Sequence, residues 1–395
     1  MHKFGGFNGL GGDLHEFRIT PEGTAMITLY EIIDADLTPF GHEADGKIWD
    51  CLIQDIDLAT GKLLFQWRAS EHHELTETLR KIPNDDPFDW HHINSVDKDH
   101  KGNYLVSSRY LHAVTYISGE TGEIIWVLGG KRNSFTDLSD GKATKFWFQH
   151  DARWQDDYTT ITIFDNGGDD FGKVEPYTRG LRVKLDQVAM TAELVTEYVN
   201  PNHIFGMSQG SLQVLPTGNV LLGYGNTPAM TEYAFNGTVL CDVHFGPQSW
   251  FGSSDVMSYR TFKFDWVGRP DTKPDVLIER SGDAEGESGN GNLMSVFVSW
   301  NGDTEVRRWV LEGTDDVERG RWKDVADEAR DGFETQLLIQ SDDPRYVRVR
   351  GFDRNGNILG ESDIWDWREG TTVSQLPCVR FQVYAGQTGL LTPKH

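Results

Sequence analysis

HEFRITPEGTAMITLY (15–30), HINSVDKDHKGNYLVSSRY (92–110), HDARWQDDYTTITIFDN (150–166) and QGSLQVLPTGNVLLGYGN (209–226) can be written over one another. Each opens on a polar residue, runs through a short strand into a turn and enters a second strand rich in Ile, Val, Leu and Thr. Gly23, Gly102 and Gly218 sit in three of the turns, where a hairpin needing positive φ favours glycine. The 150–166 stretch carries Asp156-Asp157-Tyr158 there instead. A second hairpin follows each pair, at 47–67, 112–130, 179–198 and 231–245. Four strands per unit, repeated along the chain, is the pattern of consecutive propeller blades. The units start further apart than the about 40–50 residues of a bare blade. Polar insertions at 38–45 and 70–89 account for the excess, and such insertions shape one rim of the channel.

Outward from this repeat, YRTFKFDW (259–266) reads as one strand of a partial fifth blade. Beyond the linker VGRPDTKP (267–274) the texture changes to alternating strands, the signature of a small sandwich. DAEGESGNGN (283–292) is low-complexity surface, and SQLPCVRFQVYAG (374–386) is one more strand returning to the propeller. The expected organisation is all-β: a β-propeller over 1–270, a fibronectin- or Ig-like β-sandwich over 271–368, and a C-terminal strand and tail over 369–395.

The 395 residues carry 37 Lys+Arg against 61 Asp+Glu, a formal charge of −24. That excess repels phosphate backbones and anionic bilayers, so neither nucleic acid nor membrane is an expected partner. With 38% hydrophobic and 12% aromatic residues the chain has ample core material, which excludes disorder. Cys51, Cys241 and Cys378 lack the close spacing of a zinc or redox motif, and their odd count fits a reducing compartment. The first ten residues, MHKFGGFNGL, have no signal-peptide stretch, and no run reaches the ~18 apolar residues of a membrane span. The expected location is cytoplasmic.

In a propeller the first strand of every blade lines the axis, so equivalent positions of successive blades converge. His15, His92, His150 and Gln209 hold that position. Three imidazoles there are not demanded by sheet packing, and they mark a channel site. For any single histidine the alternative is a satisfied core or surface position. Arg109 ends a second strand and can anchor an anionic or keto-enol oxygen, or else pair with Asp97 or Asp99. Asp151 and Arg153, sharing a face, are candidates for ligand contact or for support of it. Ser208, Trp90, Tyr110 and Tyr224 complete the candidate substrate contacts. Ser208 and Ser211 lack the G-x-S-x-G elbow of a hydrolase. The acidic run 165–170 lacks calcium-loop spacing and reads as a solvated turn. Of the adjacent pairs His72-His73 and His91-His92, only one member each can face a given site. Neither a metal nor another cofactor is expected.

Taken together, DLHEFRITPEGTAMITLYE, WHHINSVDKDHKGNYLVSSRY, GEIIWVLGGKRNSF, FQHDARW, SQGSLQVLPTGNV, CDVHF and SYRTFKFDWVGRP resemble the fungal branch of the arylsulfotransferase-like proteins, over nearly the whole chain. The resemblance implies a propeller and, from the bacterial relatives, sulfuryl transfer between phenols without a nucleotide donor, through channel histidines and an arginine. His92 matches the histidine of H-[IL]-N-S, Arg109 the arginine of S-S-R, His150 the candidate nucleophile of Q-H, and His15 the early channel histidine. Typical members carry a signal peptide and a blade region before D-L-H-E-F. A ring without that region closes with fewer blades or leaves an open wedge. The expected function is therefore a secondary-metabolism enzyme. In it the histidines and Arg109 activate a phenolic, polyketide or terpenoid intermediate for dehydration or for a cyclisation of hetero-Diels–Alder type. The alternatives are sulfuryl transfer with His150 as nucleophile and a non-catalytic, protein-binding propeller.

Overall fold

The computed structural model describes residues 4–80, 87–155, 158–280 and 293–373. Its chain divides into two compact units at Lys263/Phe264. The first unit holds four antiparallel meanders, each built from strands adjacent in sequence. Blade one comprises Phe17–Ile19, Thr24–Ala35, Gly46–Asp57 and Leu63–Arg68; blade two Ile93–Lys98, Tyr104–Ser108, Ala113–Ile117 and Ile124–Gly129. Blade three comprises His150–Trp154, Thr160–Asp165, Arg179–Asp186 and Thr191–Val199; blade four Ser211–Val214, Val220–Gly223, Ala229–Tyr233 and Val239–His244. The repeat seen in the sequence thus gives one four-stranded blade per unit. The turn that carries Asp156-Asp157 lies largely outside the described residues.

Blades pack because strand alternation gives each a buried apolar face. Met26, Ile48, Ile53 and Trp67 of blade one meet Ile93, Val96, Val106 and Val127 of blade two. Leu105, Val114, Trp126 and Leu128 of blade two meet Ala152, Trp154, Ile163 and Val183 of blade three, and Phe164 and Tyr198 meet Leu212, Leu222 and Tyr233 of blade four. Among the described residues no such cluster spans blades four and one. The outer face of blade one, Ile27, Leu29, Leu52 and Ile56, is instead packed by Leu10 and Leu63.

The seam between blades four and one is bridged by the segment beyond blade four. Between His244 and Asp275 no strand forms; residues 259–263 run beside the inner strand of blade four without a backbone ladder. Ser211 Oγ accepts from Thr261 N at 2.9 Å and donates to Thr261 O at 3.1 Å, and the Gln213 amide does the same for Lys263 N and O. Side chains occupy the groups a fifth-blade strand would need.

Insertions add strands at the rim. Phe88–Asp89 returns to pair in parallel with Ile48 and Trp49 of blade one, and Thr136–Asp137 pairs with Thr191 and Ala192 of blade three. In the second unit a three-stranded sheet (Asp275–Arg280, Leu293–Ser299, Glu334–Gln340) and a larger sheet built around Arg308–Thr314 and Tyr346–Phe352 enclose Val296, Val298, Trp309, Leu311 and Val349. The low-complexity stretch and the predicted C-terminal strand lie outside the described residues. No helix among the described residues is long and apolar enough to cross a membrane.

Candidate functional site

His15 stands two residues before its inner strand, His92 one before, His150 begins its strand, and Gln209 stands two before. Backbone strain marks these places. His92 (φ 55°), Asp151 (φ 53°) and Gln209 (φ 63°) are left-handed, and blades two and three carry bulges directly after His92 and His150. A bulge at a strand start re-aims side chains, and strain of this kind persists only where surrounding structure imposes it.

The imidazoles converge. The rings of His15 and His92 lie 4.7 Å apart, edge to face. Tyr259 lies 5.7 Å from His15 and 6.4 Å from His150. Tyr30 packs on both His15 and His92, its hydroxyl donating to Ile93 O. The two more accessible histidines are each held by a carboxylate: His15 Nδ1 by Asp13 Oδ2 and His92 Nδ1 by Asp89 Oδ2, both at 2.5 Å. Donation from Nδ1 fixes the tautomer and leaves Nε2 as the basic nitrogen. Asp13 is itself seated by the Thr28 hydroxyl and the His15 N–H.

His150 differs. It is 3% exposed; its Nδ1 meets Asn166 Oδ1 at 2.8 Å and its Nε2 takes the Gln209 N–H at 3.3 Å. Burial, then the nearby Arg109 cation, holds its pKa well below the usual histidine value. Burial also lowers His92, against the opposing pull of Asp89. Arg109 pairs with neither Asp97 nor Asp99. Asp97 binds Arg18 and the Trp154 N–H, and Asp99 accepts from Tyr116. Arg109 instead donates to Tyr110 Oη at 2.8 Å and to Met207 O at 3.0 Å, and its buried Nε has no partner among the described residues. Tyr110 packs on His92 at 5.1 Å.

Asp151 and Arg153 lie beneath this cluster in an ionic knot. Glu16 Oε2 accepts from Arg153 at 2.5 Å and Oε1 from Arg260 at 2.9 Å. Asp151 takes Arg153 Nε and the Leu212 N–H, and Arg260 also donates to Asn94 O. All four blades meet there; the two acids pair with both guanidinium groups, with Arg260 Nε 3.5 Å from Asp151 Oδ1 and without a hydrogen bond among the described residues.

Two other predicted contacts are core residues. Tyr224 is fully buried, its hydroxyl 2.8 Å from that of Tyr233. Trp90 is fully buried against His91. Ser208 is half-buried beside Gln209, its carbonyl accepting from Asn226 N, and Ser211 is committed to residue 261. His91 turns away from His92 to reach Ser108, and His73 is held by Glu77 and Thr115. Only the second half of the acidic run is a solvated turn: Asp170 is exposed in the tight hairpin that pairs Gly168–Asp169 with Gly172–Lys173. Asp165 and Asn166 are fully buried, Asp165 on Arg179 and Asn166 on His150. Among the described residues no group of three or more His, Cys, Asp or Glu could hold a metal ion.

The sequence profile of the family described as Arylsulfotransferase (ASST) matches residues 11–246. No curated protein matches the chain. Among solved structures, the periplasmic gluconolactonase of Pseudomonas aeruginosa is 13% identical over 89% of this chain and 84% of its own, with a TM-score of 0.32. Virginiamycin B lyase of Staphylococcus aureus with quinupristin is 10% identical over 90% and 86%, with a TM-score of 0.35.

Proposed function

From the premise that the chain belongs to the arylsulfotransferase family, we propose that it is a cytoplasmic enzyme that dehydrates or cyclises a phenolic, polyketide or terpenoid small molecule by proton transfer. The observation that carries this reading is the pair of adjacent imidazoles, 4.7 Å apart, each fixed by its own carboxylate. Neutral His92 takes the phenolic proton of the substrate. The benzylic C–O bond then breaks, hydroxide leaves as water after receiving a proton, and a quinone methide remains for cycloaddition. Arg109, with an unpartnered Nε, holds the developing oxyanion. Tyr30 and Tyr110, packed on His92, restrain the substrate.

Family membership favours a second reading, sulfuryl transfer with His150 as nucleophile and Arg109 and His92 on the sulfate oxygens. Against it, His150 Nε2 is engaged by Gln209 N–H in a buried position, so attack would require the 208–210 backbone to move. The test is conversion of 2-hydroxybenzyl alcohol, with ethyl vinyl ether trapping the quinone methide as a chroman. Chroman formation that is lost in His92→Ala supports the proposal. Release of 4-nitrophenol from 4-nitrophenyl sulfate with a phenol acceptor, abolished by His150→Ala, overturns it.

A further inference from the structure

Tyr259 lies beyond residue 246, where the family match ends, yet its ring stands among the converging histidines. Its placement is fixed from several sides. Tyr259 O accepts from Gly210 N at 3.0 Å, and Ser258 N donates to Gly225 O at 3.1 Å. The Arg260 guanidinium, locked to Glu16, lies 5.3 Å from the ring centre. The phenol oxygen is buried and has no hydrogen-bond partner among the described residues. An unpaired buried hydroxyl costs free energy unless something completes it. The substrate that the three histidines receive is the group that would do so.

We propose that Tyr259 is a catalytic residue of this site, its hydroxyl the proton donor to the substrate oxygen that departs. The proposal rests on the proton-transfer reading above. As the substrate C–O bond breaks, the Tyr259 O–H bond breaks with it, and the leaving hydroxide becomes water. The phenolate left on Tyr259 regains a proton from the imidazolium formed when the histidine pair took the phenolic proton, the His15 ring being 5.7 Å away. No other co-reactant is needed. Burial holds the Tyr259 pKa above that of an ordinary tyrosine, so the proton is in place at neutral pH.

The experiment compares the full chain with its Tyr259→Phe and His92→Ala variants in two assays at pH 7. One is binding of 4-nitrophenol, read at its phenolate absorbance band. The other is conversion of 2-hydroxybenzyl alcohol to the trapped chroman. Tyr259→Phe keeps the ring and is expected to bind 4-nitrophenol, which carries no departing oxygen, within twofold of wild type and to lose at least tenfold in conversion, with thermal unfolding unchanged. Conversion within twofold of wild type in Tyr259→Phe, while His92→Ala abolishes it, overturns the role of Tyr259 and leaves the proton-transfer reading standing. A wild-type chain that neither binds nor converts overturns both. Should Tyr259→Phe misfold, 3,5-difluorotyrosine at position 259 replaces it. Its more acidic phenol is expected to move the alkaline limb of the conversion profile to lower pH, and an unmoved limb overturns the proposal.

Discussion

Arg260 Nη1 donates to Glu16 Oε1 at 2.9 Å across 244 residues of sequence, so the two ends of the first unit meet in one ion pair. Glu16 is 3% exposed, and Arg153 supplies its second cation. The pair closes the seam that has no apolar cluster of its own.

Glu16→Ala leaves Arg153 and Arg260 with Asp151 as their remaining ion-pair partner among the described residues. Breaking a buried charge group in this way costs about 3–5 kcal/mol, read as a lower urea midpoint. The cations hold the Glu16 carboxyl below its ordinary pKa, against burial, which is the largest single influence and pushes the other way. A depressed carboxylate contributes stability present above about pH 4.5 and lost as the pH falls through its folded value. Glu16→Gln is therefore expected to flatten the stability profile below pH 4.5.

A second acid-sensitive range lies higher. Burial lowers His91, His92 and His150, and takes His112 down to about 3. These groups are neutral in the fold and titrate near pH 6.5 when unfolded, so stability falls as the pH drops from about 6.5. Each contributes up to about 1.4 kcal/mol per pH unit. Both ring nitrogens of His112 lack partners among the described residues. His112→Asn, which tolerates the local φ of 47° and does not titrate, is expected to give a shallower slope between pH 6.5 and 5 in urea unfolding.

Asp89→Asn removes the charge that opposes the burial of His92. The His92 pKa is then expected to fall further, and the ring to lose its single tautomer, both visible in nitrogen-detected NMR titration. An unchanged titration would mean that Asp89 does not orient His92.

Tyr224→Phe and Tyr110→Phe separate core from site. The first deletes one buried hydroxyl pair, costing about 1 kcal/mol, and leaves 4-nitrophenol binding unchanged. The second removes the oxygen that accepts from Arg109 and is expected to weaken that binding several-fold with little loss of stability.

The blades were legible because hairpin turns and period-two strands are local signals, repeated four times. The three histidines were legible because equivalent repeat positions must converge. Their partners were not. Asp89 arrives on a parallel strand against Trp49, a pairing set by tertiary contacts. Asn166 sits in an acidic run whose composition suggested solvent, although Asp165 anchors it in the interior. Tyr259 and Arg260 lie in an alternating apolar stretch that reads as a strand, yet the Ser211 and Gln213 side chains take the backbone groups a ladder would use. Tyr224, flanked by glycines, carries no sequence mark of which way its ring turns.

His15 and Gln209 precede the ladders of their blades, and His92 stands in a left-handed turn just outside its own. Exchanging these side chains breaks no strand pairing. Such an arrangement separates the chemistry of the site from the ladders that hold it, so the side chains can be exchanged while the sheets around them stay as they were.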